Sequence, residues 1–357
     1  MQSDGEAKVP QGASSGRDIR GDFYTEPSST TGYIRKMHVL FRQGIAIAWL
    51  TALEAVRRPI AALLTVSALS FVALMPFLFT HTLNEGERLV RDSSLALHFV
   101  LGLVMGALSA CTALRAELRG GTAAAILSKP VPRPLFFIGK FAGIALVMIA
   151  FSILMACATL LATRTAAVAF VYDFAGSGPL IAAILLALAA GGVQNFLLRR
   201  PFASRTFGAL LMLIPAAVAV SGAIPANGES SPWGAALPLA IVPASVLIAM
   251  AILLLSGLSL VLATRLDIVP TLEVGSTVLM AGLMADYLFG RHAAFSRFYA
   301  FLDGITPNFQ HFWAADALAG DGIPWSYVAR AATYWAVYLA AILSLGILAF
   351  RRMELRG

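Results

Sequence analysis

Between Glu117 and Lys140 the chain reads ELRGGTAAAILSKPVPRPLFFIGK, a polar, glycine- and proline-marked stretch set between apolar runs at about 94–114 and 138–163. Each run is long enough to cross the roughly 30 Å hydrocarbon core of a bilayer as a helix of about 20 residues. Peptide groups in hydrocarbon must be satisfied within their own segment, and the alternating pattern of a barrel is absent, so these runs are read as membrane helices. A simple reversal at the membrane surface needs only a few residues. This connection uses two dozen, and it places Arg119, Lys129, Arg133 and Lys140 there with Arg115 just before.

The rest of the 357 residues follows suit. Hydrophobic residues make up 59% and charged residues 13%, and the mean hydropathy is +0.79, which excludes an ordinary soluble domain. The formal charge of +7 flanks apolar runs and is not gathered on one polar face, which argues for membrane orientation and against a nucleic-acid partner. Cys111 and Cys157 both lie inside apolar runs without paired spacing, and are read as packing residues.

Residues 1–34 are polar and rich in Gly, Ser and Thr, and are read as a disordered tail. No cleavable signal peptide is visible there, so the first span is expected to act as its own insertion signal. Residues 35–58 mix charge with apolar side chains and end in Arg57 and Arg58, as in an amphipathic helix lying in the interface. Spans are then expected at about 59–80, 94–114, 138–163, 179–198, 206–222, 237–263, 270–289 and 326–350. The 206–222 and 270–289 segments are short or interrupted, so the expected architecture is an all-α polytopic bundle of six to eight transmembrane helices. With both termini in the cytosol, about 20 Lys and Arg fall on that side and 6 outside, the lopsided count of the positive-inside rule. The expected location is the bacterial inner membrane. The longest outer connection, 291–325, carries aromatics at three- and four-residue spacing and reads as short interfacial or re-entrant helices broken by Pro307 and by Gly322 to Pro324. The last residues, 351–357, return to the cytosol.

Within the 115–140 region, Gly120 and Gly121 let the chain leave a span sharply. Thr122 can cap a short helix over Ala123 to Leu127, and Lys129-Pro130 ends it. Pro132 and Pro134 keep the next stretch extended, and Gly139-Lys140 starts the third span. This order resembles the coupling region of ABC transporter permeases of the exporter-like type V fold: an acidic residue, Gly-Thr, Leu-Ser-x-Pro-x-x-Arg and Gly-Lys, met here by Glu117, Gly121, Thr122, Leu127, Ser128, Pro130, Arg133, Gly139 and Lys140. The helix at 35–58 resembles the family's elbow helix. Segments TRLDIVPTL (Thr264–Leu272), DYLFGR (Asp286–Arg291) and PNFQHFWAADAL (Pro307–Leu318) are most similar to the branch with nitrous-oxide-reductase maturation and gliding-motility permeases. The stretch 164–236 departs from the family by adding a helical hairpin.

The resemblance implies a non-catalytic membrane subunit, driven by two copies of a separate P-loop ATPase that bind ATP and Mg, and paired with a second permease subunit. This chain would bind no cofactor and no metal. Glu117, Arg119, Lys129 and Arg133 would make polar contacts with the ATPase, and Ile126 and Leu127 would fill its apolar groove. The chain carries no GxxxxGK[ST] loop of its own, since Phe141 follows Gly139-Lys140. The sparse charge in the spans suggests lipidic or amphipathic cargo, or force transmission to a partner outside.

Other polar residues are weaker signals. His38, His81, His98, His292 and His311 are scattered without ligand spacing. Gln194, Asn195 and Asp286 need polar partners. Arg265 and Asp267 are expected to form a turn capping two helices. Two alternatives stand beside the ATP-driven reading: an ion-gradient-driven transporter, against which no internal repeat is evident, and an intramembrane hydrolase using Ser256 or Ser259, for which His98 is placed at the wrong end of its span.

Overall fold

Long apolar runs in lipid can satisfy their backbone only as helices, and each run read from the sequence is helical in the computed structural model. It describes residues 29–79, 85–119, 131–167, 173–225, 232–314, 318 and 322–351. Among the described residues the helices longer than one turn are α1 Ser29–Arg57, α2 Pro59–Leu78, α3 Gly86–Arg119, α4 Arg133–Thr165, α5 Phe174–Leu198, α6 Phe202–Ala223, α7 Ile241–Leu262, α8 Ile268–Leu283, α9 Arg297–Ile305 and α10 Trp325–Arg351. Short π and 3₁₀ turns at Asp286–Gly290 and Phe309–His311 interrupt the region between α8 and α10. Among the described residues there is no strand. Eight helices are long and apolar enough to cross a bilayer, or nine if the bent pair after Ile268 is one span. The protein is a polytopic all-α membrane bundle.

Two compact units are distinguished, Met1–Phe41 and Arg42–Gly357. The first contributes only the opening turns of α1 to the described residues; all that follows concerns the second.

Several boundaries differ from the sequence expectation for identifiable reasons. α4 begins at Arg133, five residues before the apolar run and ahead of Gly139-Lys140, because Pro132 is its N-cap residue and Pro134 sits in its first turn, where a missing N–H costs nothing. Pro132 is extended, as expected, but Pro134 lies inside the helix and does not hold the chain open. α3 begins at Gly86, where Arg91 bonds Asp92 at 2.9 Å and reaches the Leu318 carbonyl at 3.3 Å. The helix α1 passes the length and composition test for a span over Met37–Arg57, yet its residues 44–51 lie against the first three turns of α4. A Cβ on Gly139 would fall 2.9 Å from Ile47, and one on Gly143 2.5 Å from the Ala48 carbonyl. This part of α1 therefore packs beside the start of α4.

The helix α4 is the central column. Its first half, from Phe136 to Met148, belongs to a core shared with α3, α7, α8 and α10, and its second half, from Phe151 to Ala162, to a core shared with α2, α5 and α6. The hairpin α5–α6 packs on α2 and α4 and completes that second core. Lipid gives no hydrophobic drive between helices, so close approach of small residues carries the packing. A Cβ on Gly102 of α3 would meet Ile252 of α7 at 2.3 Å, and one on Gly106 would meet Ser256 at the same distance.

The 16 residues of α8 span about 24 Å, short of a full crossing, and the chain then bends by 61°. The bend follows from what packs there: Phe309, fully buried, lies against Gly282, where a Cβ would be 2.4 Å away. Residues 307–313 thus tuck back against α8. Gln310 donates to the Leu283 carbonyl at 2.7 Å, and Tyr334 of α10 receives the Asn308 N–H at 2.8 Å. Phe295, Phe298 and Phe301 remain exposed.

Candidate functional site

The segment singled out in the sequence is bracketed by an ion pair. Glu117 stands in the last turn of α3 and Lys140 two turns into α4, and the Lys140 ammonium donates to Glu117 at 2.5 Å. Lys140 is 2% exposed and also lies 5.5 Å from the centre of the Phe136 ring, where the π face adds to its stabilisation. A buried lysine is tolerated only with such partners. The pair ties the helix that enters residues 118–139 to the helix that leaves them.

The neighbouring residues extend this tie to other helices. Gly139 admits α1, as described above, so Gly139-Lys140 works as a unit: the glycine seats Ile47 while the lysine binds Glu117. Arg133 donates to the Arg351 carbonyl at 3.0 Å, at the end of α10 where the helix dipole favours a cation. Phe136 and Phe137 lie against Phe350 with ring centres 5.8 and 6.0 Å apart, and Phe137 fills the space above Gly346. Arg115 of α3 bonds Asp267 at 2.9 Å, in the turn between α7 and α8. Arg58 pairs with Glu54 at 2.9 Å and contacts the Thr112 carbonyl at 3.5 Å. Five helices meet here through charged or aromatic contacts.

Of the residues expected to contact an ATPase, the structure places Glu117, Arg133, Gly139 and Lys140. Glu117, expected to reach a partner, holds Lys140 of its own chain, and Arg133 caps α10. Arg119 is the last residue of α3, with its side chain outside the described residues, as are Gly121, Thr122, Ile126, Leu127, Ser128, Lys129 and Pro130. Asp267 is the N-cap residue of α8 but makes no side-chain cap bond. Its carbonyl accepts from the Thr271 N–H at 3.0 Å and its carboxylate from Arg115, so the expected turn does precede α8 but caps it through the backbone.

Sequence reasoning missed the main polar lock of the opposite end. Arg164, read only as one of the six basic residues on the outside, is 2% exposed. It donates to Asp173 at 2.7 Å, to the Ser221 hydroxyl at 3.0 Å and the Ile224 carbonyl at 2.8 Å, and also to the Ser221 carbonyl. One guanidinium thereby joins the ends of α4, α5 and α6. The nine-residue spacing to Asp173 was the only trace of it in the sequence. At the arginine-rich end of the hairpin, Asn195 donates to the Arg200 carbonyl at 2.8 Å and closes the α5–α6 turn, which satisfies the partner requirement noted for that residue.

Ser256 donates to the Ile252 carbonyl at 2.7 Å and is packed against Gly106. His98 lies eight residues before Gly106 on α3, about 12 Å along the axis, with its ring edge against Phe151. That separation does not fit a serine–histidine pair. Among the described residues, no group of three or more His, Cys, Asp or Glu could hold a metal ion. The chain matches no protein-family model, and no curated protein matches it.

Proposed function

We propose that this chain is the membrane-spanning subunit of an ATP-driven transporter, of the exporter-like type V ABC class, and that residues 115–140 receive the motion of a separate ATPase. The observation that carries the reading is the Glu117–Lys140 pair. A connection that only reverses the chain gains little from locking its two supporting helices together through a buried charge pair, which costs desolvation. A lever needs that lock. With α3 and α4 joined at the base of the segment, and α4 joined to α10 through Arg133 and Phe350, a push on residues 118–131 moves the helices as a group. The same logic extends to two permease copies and two ATPase copies, whose ATP-driven closure would change the side to which the permease interface opens.

The test is capture of the ATPase. The purified chain is mixed with the product of any neighbouring gene that carries a P-loop ATPase motif, and association and ATP hydrolysis are measured with the wild type and with the double variant E117Q/K140M. Stable capture, and hydrolysis altered by the wild-type chain but less by the variant, is the expected result. Absence of capture together with unchanged hydrolysis would refute the reading.

A further inference from the structure

At the arginine-rich end, a groove of about 480 Å³ opens between the start of α2 and the α5–α6 hairpin, within the size range of small-molecule sites. Ile60, Leu63 and Val66 of α2 form one wall and Leu188 and Phe202 the other, and Arg57 is the one charged residue that lines it. From Pro59 to Val66 the wall rises about 10 Å along α2, away from the arginines and into the apolar part of the bundle. Leu63 and Phe202 are exposed, so the groove opens on the outside of the bundle.

The mouth is strongly cationic. Pro201, which also lines the groove, directly follows Arg199 and Arg200, and Arg205 lies one turn into α6. The turn is held by the Asn195 bond to the Arg200 carbonyl and by the left-handed conformation of Arg199, φ 49°. Arg57, Arg199, Arg200 and Arg205 make no ion pair among the described residues, while the nearest carboxylate in the sequence, Glu54, is engaged by Arg58. Orientation alone would be served by arginines anywhere on this surface; here Arg57 lines an apolar slot, and Arg199, Arg200 and Arg205 adjoin its lining residues Pro201, Phe202 and Ala203 in the chain.

We infer that this groove is a binding site for an anionic phospholipid of the leaflet on the arginine-rich side. One acyl chain lies along Ile60, Leu63, Val66 and Leu188, and the phosphate faces Arg57 and the Arg199-Arg200 turn. A soluble anion lacks the chain that fills the slot, and a zwitterionic lipid lacks the net charge that four arginines favour. The inference rests on the membrane fold and the groove, and stands or falls independently of the ATP-driven reading.

The experiment is native mass spectrometry of the full-length protein released from detergent with dioleoyl phosphatidylglycerol or dioleoyl phosphatidylcholine. The wild type is expected to retain phosphatidylglycerol at least several-fold better. Each cation near an anionic lipid surface contributes a factor of about five, so R57Q should lower retention about fivefold and R57Q/R200Q further. L63W, at an exposed wall position, should lower retention with all arginines present. These residues are exposed, and thermal unfolding of each variant checks that the fold is kept. Equal retention of the two lipids, or unchanged retention in R57Q/R200Q and L63W, would overturn the site. So would competition by glycerol phosphate at equal concentration, or self-association of the chain that L63W weakens with lipid retention intact, which would assign the groove to a free anion or to a second copy of the chain.

Discussion

Removing one member of the Glu117–Lys140 pair should be more damaging than removing both. At 2.5 Å and an effective dielectric of 20, the attraction amounts to about 7 kcal/mol before desolvation is subtracted. Lys140 is nearly inaccessible and the Glu117 side chain is 13% exposed, so most of that attraction offsets the loss of water around the two charges. K140M takes the buried cation away from Glu117 and should destabilise the protein by about 3–5 kcal/mol, as E117Q should by taking the anion from the lysine. E117Q/K140M leaves no buried charge, and its cost should fall to about 1–2 kcal/mol, giving a coupling energy of several kcal/mol in the double-mutant cycle. The assay is reversible unfolding in mixed micelles, followed by tryptophan emission and far-ultraviolet circular dichroism. If the single variants each cost under about 1 kcal/mol, or if the double variant costs their sum, the pair is not a buried tie between α3 and α4, and the lever argument loses its basis.

Other expectations follow from the same contacts. R164Q should lose the four bonds that join α4, α5 and α6 and leave Asp173 without its cation, a loss of about 3–5 kcal/mol, read as a lowered unfolding midpoint and as early proteolysis between α5 and α6. G346V should force Phe137 from its place, since even a Cβ would stand 2.4 Å from that ring, and the overpacking should cost about 1–3 kcal/mol in the same unfolding assay. Y334F removes the acceptor of the Asn308 N–H and should cost about 1 kcal/mol. Faster hydrogen exchange confined to residues 307–313 would mark that loss, and unchanged exchange there would contradict it.

Much of the fold was legible because lipid is a demanding solvent. Apolar runs of bilayer length can only be helices, so the positions of α2, α5 to α7 and α10 followed from hydropathy to within about five residues, while α3 starts eight residues ahead of its apolar run. Where the reading slipped, local chemistry acted against hydropathy. Pro132 and Pro134 looked like breakers of regular structure, and one position decided their meaning: at the start of α4 they are tolerated, within it they would not be. The run at 270–289 looked like one interrupted span, and its bend comes from Phe309, a residue twenty or more positions away that no window of sequence would bring to Gly282.

The candidate site divides along the same line. Residue order alone marked Glu117 to Lys140 as more than a turn, since the charges, glycines and prolines could be counted and placed between two spans. That Glu117 and Lys140 face each other, that Gly139 seats α1, and that Arg133 ends on α10 depend on how helices far apart in the chain cross, which tertiary packing settles and periodicity does not. Arg164 is the clearest case. In the sequence it is one arginine at the end of a span, whose charge argues for the membrane surface; in the fold it is buried, because α5 and α6 bring a carboxylate and three oxygen acceptors from Ser221 and Ile224 to it. Hydropathy is a property of each segment, and the sequence carries it whole. The pairing of buried charges is a property of segments brought together, and only the folded chain decides it.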